Sequence, residues 1–276
     1  METIQSFKNE LLKKQLEKFV GDNNIPDYMY DFITAVDRTY FQYEKEREHV
    51  TNLEKINREL DQFAYIVSHD LKAPLRAMSS LIGWIEEDSG EFMTAESRAN
   101  LNTILGRIHR MENLIQGILA YSKAGKGRTE KTMVNVHELV DEIISSITSP
   151  DHITIQNNIP KIEIQAEKIK LSQVFSNLIS NAIKYNDKKE GSVEIGCTEY
   201  EDWCQFYVED NGPGIEKEYH EKVFMIFQTL ASRDEFESTG IGLSIVKKIV
   251  EDQKGKIWVT SEKGNGCRFH FTWKNY

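Results

Sequence analysis

Three groups of residues in this sequence have types and spacings suited to chemistry. His69 is followed at once by Asp70, so a neutral imidazole nitrogen, whose lone pair can attack an electrophilic phosphorus, stands beside a carboxylate able to orient or accept the proton on the other ring nitrogen. In LSQVFSNLISNAIKYND, residues Asn177, Asn181 and Lys184 recur at i, i+4 and i+7. On a helix they share one face, while Val174, Phe175, Leu178 and Ile179 cover the other. An amide oxygen can fill one Mg2+ coordination position without adding charge, and an ammonium neutralises phosphate oxygens. The third group is glycine-rich. Asp210 precedes Gly212 and Gly214 in VEDNGPGI, and Gly240 and Gly242 open the helical pattern of STGIGLSIVKKIV. Glycine allows backbone geometry and close ligand approach that a Cβ would block, the Asp210 carboxylate can accept from an exocyclic amine, and amides at a helix start form an anion site.

These residues need elements that hold them. Leu53, Ile56, Leu60, Phe63 and Val67 alternate spacings of three and four, as in a coiled-coil seam. The stripe slips one step and resumes through Leu71, Pro74, Met78, Leu81 and Ile85. His69 lies two residues from both Val67 and Leu71, which predicts that it faces away from that stripe, toward solvent. Pro74 lacks the N–H that would bond the carbonyl of Asp70, so a kink is expected beside His69. DSGEFMT, Asp88 to Thr94, reads as a turn with Thr94 as N-cap. Leu101, Ile104, Ile108, Met111, Ile115 and Ile118 then mark a second helix. One hairpin cannot cover two apolar stripes, and pairing with a second copy into a four-helix bundle buries both, so a homodimer is predicted.

SKAGKGRTEK, Ser122 to Lys131, lacks apolar periodicity and marks a linker. Beyond Thr132, short strand-like runs (ITIQNNI, KIEIQA, SVEIGCTEY, WCQFYVED, KIWVTSE, CRFHFTW) alternate with helical patterns over Val136 to Ile147, Lys168 to Tyr185 and Gly242 to Asp252. That is a mixed α/β sandwich. The expected division is a helical lead-in over 1–52, broken by GDNNIPDYM, a hairpin domain over 53–124, a linker over 125–131 and the sandwich over 132–276. A net charge of −10 disfavours a nucleic-acid partner. No apolar run approaches the roughly 18 to 20 residues of a membrane span, and the first thirty residues lack the layout of a signal peptide. Cys197, Cys204 and Cys267 are odd in number and widely spaced, which supports neither a disulfide framework nor a zinc site and fits a reducing cytosol.

FAYIVSHDLKAPLRAM, Phe63 to Met78, resembles the H-box of sensor histidine kinases, with His69, Asp70 and Pro74 at the matching positions. The segment holding Asn177, Asn181, Lys184 and Tyr185 resembles the N-box of that family, VEDNGPGI the G1 box, VFMIFQTL with Phe224 and Phe227 the F-box, and the segment from Ser238 the G2 box. The likeness runs from about Leu53 to Trp273. It implies an α+β chain: a helical-hairpin dimerisation domain, a four-helix bundle in the dimer, followed by a Bergerat-type α/β-sandwich ATP-binding domain. It further implies that His69 accepts the phosphoryl group with Asp70 as general base, and that Asn181 ligates Mg2+ while Lys184 and Tyr185 lie near the phosphates and sugar. Asp210 would read the adenine amino group, with Asn177, Gly212, Gly214, Ile215, Gly240, Gly242 and Leu243 completing the ATP site. Phospho-His69 would then serve an aspartate of a separate response-regulator domain. Residues 1–52, which the likeness does not cover, read either as a connection to an upstream sensor or as the native start of a soluble regulator.

One departure from the family concerns the fourth residue after the histidine, where members that dephosphorylate their partner often carry Thr or Asn. Here it is Ala73, whose methyl group cannot position a water, so weak phosphatase activity is expected. Gln228 to Thr239 lacks periodicity and reads as a mobile lid. Two rival readings make different demands on these residues. A related ATPase that works as a conformational switch would not need His69, and a pseudokinase scaffold would not need intact Asn, Asp and Gly positions.

Overall fold

A long helix, α1 (Asp27–Ser89), opens the part of the chain that can be described. In this computed structural model the described residues are Lys14, 27–124, 130–229 and 239–275, and the chain divides into two units, 1–63 and 64–276. In the first unit Ile33 and Asp37 are buried, whereas Leu53, Ile56, Leu60 and Phe63 are all more than half exposed. Residues 21–26 of the expected break lie outside the described residues, and Asp27 to Met29 are already helical. The expected boundary after residue 52 falls inside α1, which continues unbroken.

In the second unit, the remainder of α1 runs through Pro74 to Ser89, a 3-10 turn follows at Gly90–Phe92, and α2 (Ala95–Lys123) returns. Thr94 caps α2 as expected: the Ser97 N–H donates to Thr94 Oγ1 at 3.1 Å, which satisfies one of the free amides of the first turn. The hairpin's inner seam is made by Leu75 and Ile82 against Ile108 and Ile115. Of the apolar stripes, Leu71, Met78, Leu81 and Ile85 on α1 are exposed in the single chain, as are Ile104, Met111 and Ile118 on α2. The buried and exposed residues form adjacent rows of one stripe, spaced alternately four and three apart through Leu71, Leu75, Met78, Ile82 and Ile85. The exposed face is the one a second copy would cover.

The sandwich begins with β1 (Thr132–Asn135) and α3 (Val136–Ser146), followed by β2 (Ile153–Asn157), β3 (Glu163–Ala166) and α4 (Lys168–Lys184). It continues with β4 (Gly191–Glu199), β5 (Trp203–Asp210), α5 (Gly242–Asp252), β6 (Ile257–Ser261) and β7 (Cys267–Lys274). Five strands form one sheet in the order β2-β4-β5-β7-β6, and β1 pairs with β3 separately. β2 runs parallel to β4, and the other neighbours are antiparallel. β5 and β7 alternate buried and half-buried residues, the pattern of a sheet covered on one face. Phe175 of α4 packs edge-on against Phe206 and Phe271 at 5.4 and 5.2 Å between ring centres. This apolar layer fixes α4, and with it Asn181, over the sheet.

The expected linker start at Ser122 is still helical, residues 125–129 lie outside the described set, and β1 starts at Thr132. The end of α2 is seated against α5. Lys248 Nζ donates to the Tyr121 carbonyl at 2.7 Å and lies 4.4 Å over the Tyr121 ring. Gly117 makes room for Ile241, whose Cδ1 would stand 2.3 Å from a Cβ at that position.

Candidate functional site

His69 sits on the outer side of α1, its side chain 76% exposed, as its spacing predicted, because Ser68 and Leu75 rather than His69 turn inward. His69 Nδ1 is 3.1 Å from Asp70 Oδ1. With Nδ1 protonated and donating to that carboxylate, the lone pair lies on Nε2. Ala73 is exposed on the same helix.

The second assembly is a cavity of about 420 Å3 in the sandwich. Asn181 and Tyr185 from the end of α4, Asp210 from the end of β5, Gly214 and Ile215 beyond it, and Leu243 from the first turn of α5 all line it. Three sequence-distant motifs thus converge on one space. Each is placed by an identifiable cause: apolar anchoring of α4, strand pairing for Asp210, and backbone geometry at the glycines.

Gly214 has φ +71, and a Cβ there would lie 2.0 Å from the carbonyl oxygen of Glu262. Gly240 has φ +66, with Gln228 O at 2.7 Å from such a Cβ. Neither position accepts a side chain without backbone movement. Gly214→Ala is therefore expected to destabilise the protein by about 2–4 kcal/mol, which a urea unfolding titration measures. A wild-type midpoint would contradict the packing described.

Asp210 is the site's perturbed group. Burial chiefly pushes its carboxyl up to about 6, backbone hydrogen bonds from Gly212 and Cys267 pull it down, and the neighbouring Glu209 and Asp187 push it up. The Gly212 N–H donates to Asp210 Oδ1 at 2.9 Å. At neutral pH the group is a desolvated carboxylate, oriented by backbone donors and suited to accept from an amine on a planar base.

Five expected residues do not line the cavity: Asn177, Lys184, Gly212, Gly240 and Gly242. Asn177 spends its amide N–H on the Gln173 carbonyl at 2.7 Å, and its Oδ1 would stand 2.9 Å from a Cβ on Gly242, so it abuts the start of α5. Gly212 acts through its N–H on Asp210. Lys184 Nζ lies 6.0 Å from the Tyr185 ring centre. Asp187, Val223, Cys267 and Phe269 line the cavity although none of them was assigned to the nucleotide site from the sequence. Cys267 arrives by register, directly opposite Asp210, a pairing that no local pattern announces. Phe224 of the F-box is buried edge-on to Phe269 at 6.1 Å, while Phe227 is nearly half exposed. Of the expected lid, 230–238 lie outside the described residues, and Gln228 and Thr229 line the cavity.

The donor set suits a nucleotide carrying a hard cation. The half-buried Asn181 amide offers a neutral oxygen ligand, and the apolar walls suit a base. Among the described residues no group of three or more His, Cys, Asp or Glu is placed to hold a metal ion. No described helix is long and apolar enough to cross a membrane.

Residues 166–276 match the family described as Histidine kinase-, DNA gyrase B-, and HSP90-like ATPase, and residues 59–127 match the His Kinase A (phospho-acceptor) domain. The chain is 40% identical over 227 residues to cyanobacterial phytochrome B of Nostoc, covering 80% of this chain and 30% of that protein. It is 30% identical over 280 residues to the sensor protein kinase WalK of Staphylococcus aureus, covering 96% of this chain and 67% of that one. The chain thus spans about 30% of the length of the phytochrome it matches. Full-length ShkA in complex with AMPPNP shares the fold, with a TM-score of 0.59 at 21% identity over 78% of this chain and 46% of that one. Histidine kinase ThkA in complex with the response regulator TrrA gives a TM-score of 0.54 at 25% identity over 86% of this chain and 66% of that one.

Proposed function

The chain belongs to the histidine kinases, and from that premise we propose that ATP held in the cavity lined by Asn181, Tyr185 and Asp210 phosphorylates His69. The convergence of those residues with Gly214, Ile215 and Leu243 on one cavity carries this reading, and the exposed His69–Asp70 pair supplies the acceptor.

Asp210 receives the adenine amino group, and the apolar walls exclude water from the base. Asn181 would hold Mg2+ through its amide oxygen, and the cation, when bound, neutralises charge on the phosphate oxygens. The amides at the start of α5, whose Leu243 lines the cavity, favour the anionic triphosphate. His69 Nε2 forms a bond to the γ-phosphorus as the bond from that phosphorus to the bridging oxygen breaks and ADP departs. Asp70 takes the proton from Nδ1, leaving a neutral phosphoimidazole. Phosphoryl transfer of this kind rests on positioning and charge more than on covalent activation. Movement of the sandwich toward His69 would require the Lys248 contacts with the Tyr121 and Ser122 carbonyls, at 2.7 and 3.5 Å, to open.

The phosphoryl group then passes to an aspartate of a response-regulator receiver domain, a reading supported by the ThkA neighbour, whose structure includes such a partner. The outward apolar face of the hairpin supports a homodimer. The relatives are longer than this chain, which leaves room for a further module that we read as an upstream sensor, and three free thiols fit a cytosolic location. Incubation of the chain and a receiver domain with labelled ATP tests the sequence of events. Label should appear first on the kinase and then on the receiver, and a receiver labelled without a phosphorylated kinase would refute it.

Ala73 sets a further expectation. With ADP present, the chain should dephosphorylate a phosphorylated receiver slowly, and Ala73→Thr should raise that rate about tenfold or more. Rapid wild-type dephosphorylation would overturn this assignment.

A further inference from the structure

Two side chains outside the cavity tie its walls together. Asn186 lies between Tyr185 and Asp187, both of which line the cavity, and Asn211 follows Asp210, which lines the opposite wall. Asn186 Nδ2 donates to Asn211 Oδ1 at 2.9 Å. The same Asn211 oxygen accepts from the Ser192 N–H at 2.8 Å, and Asn211 Nδ2 donates to the Glu190 carbonyl at 2.9 Å. Asn186 Oδ1 accepts from the Lys188 N–H at 3.0 Å. Both amides thus have donor and acceptor atoms engaged, which fixes their orientation. The backbones also meet closely here. A Cβ on Gly212 would lie 3.4 Å from the Tyr185 carbonyl oxygen and 3.5 Å from Asn186 Cα.

Resting on the reading of the cavity as the ATP site, we propose that the Asn186–Asn211 pair is a positioning clamp that sets the distance between the Tyr185–Asp187 segment and Asp210, and thereby the preference for adenine over guanine. Neither asparagine lines the cavity, so neither touches the base. Their bond joins the loop after α4 to the end of β5, two segments that the sheet's own pairing does not connect at this point. Adenine presents an amine to Asp210 where guanine presents a carbonyl oxygen. Discrimination between them requires the carboxylate to be held against the base edge, without room for a bridging water that would satisfy either. A loosened wall admits that water. The cost falls on base selectivity and nucleotide affinity, while the chemistry at His69 is unaffected once nucleotide is bound.

The decisive variant is Asn186→Ala, which removes the clamp but leaves Asn211 bonded to Ser192 and Glu190. In calorimetric titration of the full chain with Mg-ATP and Mg-GTP, it should weaken ATP binding about tenfold and reduce the ATP-to-GTP affinity ratio by a similar factor. Autophosphorylation at saturating ATP should stay within about twofold of wild type. Asn211→Ala, which loses three bonds, should show the same loss of discrimination with a lower unfolding midpoint. Unchanged ATP affinity and base preference in a folded Asn186→Ala protein would overturn the clamp and leave the ATP site intact. Failure of Asn186→Ala to fold would also overturn it, because the pair would then be a requirement of the fold. Wild-type protein that binds no Mg-ATP would remove the site reading itself, a distinguishable result.

Discussion

His69→Gln reduces incorporation of label from γ-labelled ATP to background while Mg-ATP affinity stays within about twofold of wild type. The two halves of this expectation come from different parts of the molecule. The nucleophile is an exposed side chain on α1, its Nδ1 3.1 Å from Asp70, and it makes no contribution to the cavity lining. Glutamine keeps a polar, exposed side chain at that position but has no nitrogen lone pair available for attack, since its amide nitrogen is delocalised. Quantitative labelling with parallel calorimetry checks both halves. Label persisting on the variant would remove His69 from the mechanism, and loss of ATP binding would contradict the independence of the helix and the cavity.

Asp210→Asn lowers ATP affinity about 30- to 100-fold, the roughly 2–3 kcal/mol of a charge-assisted hydrogen bond in a desolvated site. The backbone N–H groups of Gly212 and Cys267 would hold the asparagine oxygen and turn its NH2 toward the adenine amine, donor against donor, so the preference for ATP over GTP should fall as well. The same group gives the site a pH dependence. Because the Asp210 carboxyl is pushed up to about 6 by burial, and ATP requires the carboxylate, affinity should be level above about pH 7 and fall by up to tenfold per unit below about 6. For folding of the nucleotide-free protein the sign is opposite. Between the ordinary carboxylate range and about 6 the folded state retains a proton that the unfolded chain has released, so this residue's contribution favours folding at low pH and is lost as pH rises through about 6. Calorimetry from pH 5 to 8 on wild type and Asp210→Asn checks this, and an identical pH profile for the two proteins would exclude Asp210 as the group responsible.

Much of this arrangement is legible in the residues, for reasons that differ by element. The Thr94 cap, the start of α5 and the span of β5 follow from local chemistry: a hydroxyl before a helical pattern, a glycine at a helix start, an aromatic-rich apolar run ended by Glu209 and Asp210. Those signals need no distant partner. β1 escaped notice because TMVN has no alternation of its own and becomes a strand only by pairing with β3. Leu75 and Ile82, which meet α2, sit in the row beside Leu71, Met78 and Ile85 on the same stripe, and periodicity does not say which row faces the hairpin partner and which a second copy. In the site, a shared helix face grouped Asn177, Asn181 and Lys184, yet only Asn181 reaches the cavity, since the first bonds its own helix and the third lies near Tyr185. Cys267 and Phe269 enter by strand register, information that resides in the pairing of segments far apart in the chain.

The central claim is that a nucleotide phosphate ends on the imidazole of residue 69, and the most direct measurement follows that phosphate. The full chain is incubated with Mg2+ and γ-labelled ATP, denatured, divided between acid and alkali, and the surviving label is located by peptide mapping. The predicted result is label that acid removes and alkali preserves, confined to the peptide containing His69. Label stable to acid, label on another peptide, or release of free phosphate with none retained by the protein would contradict it.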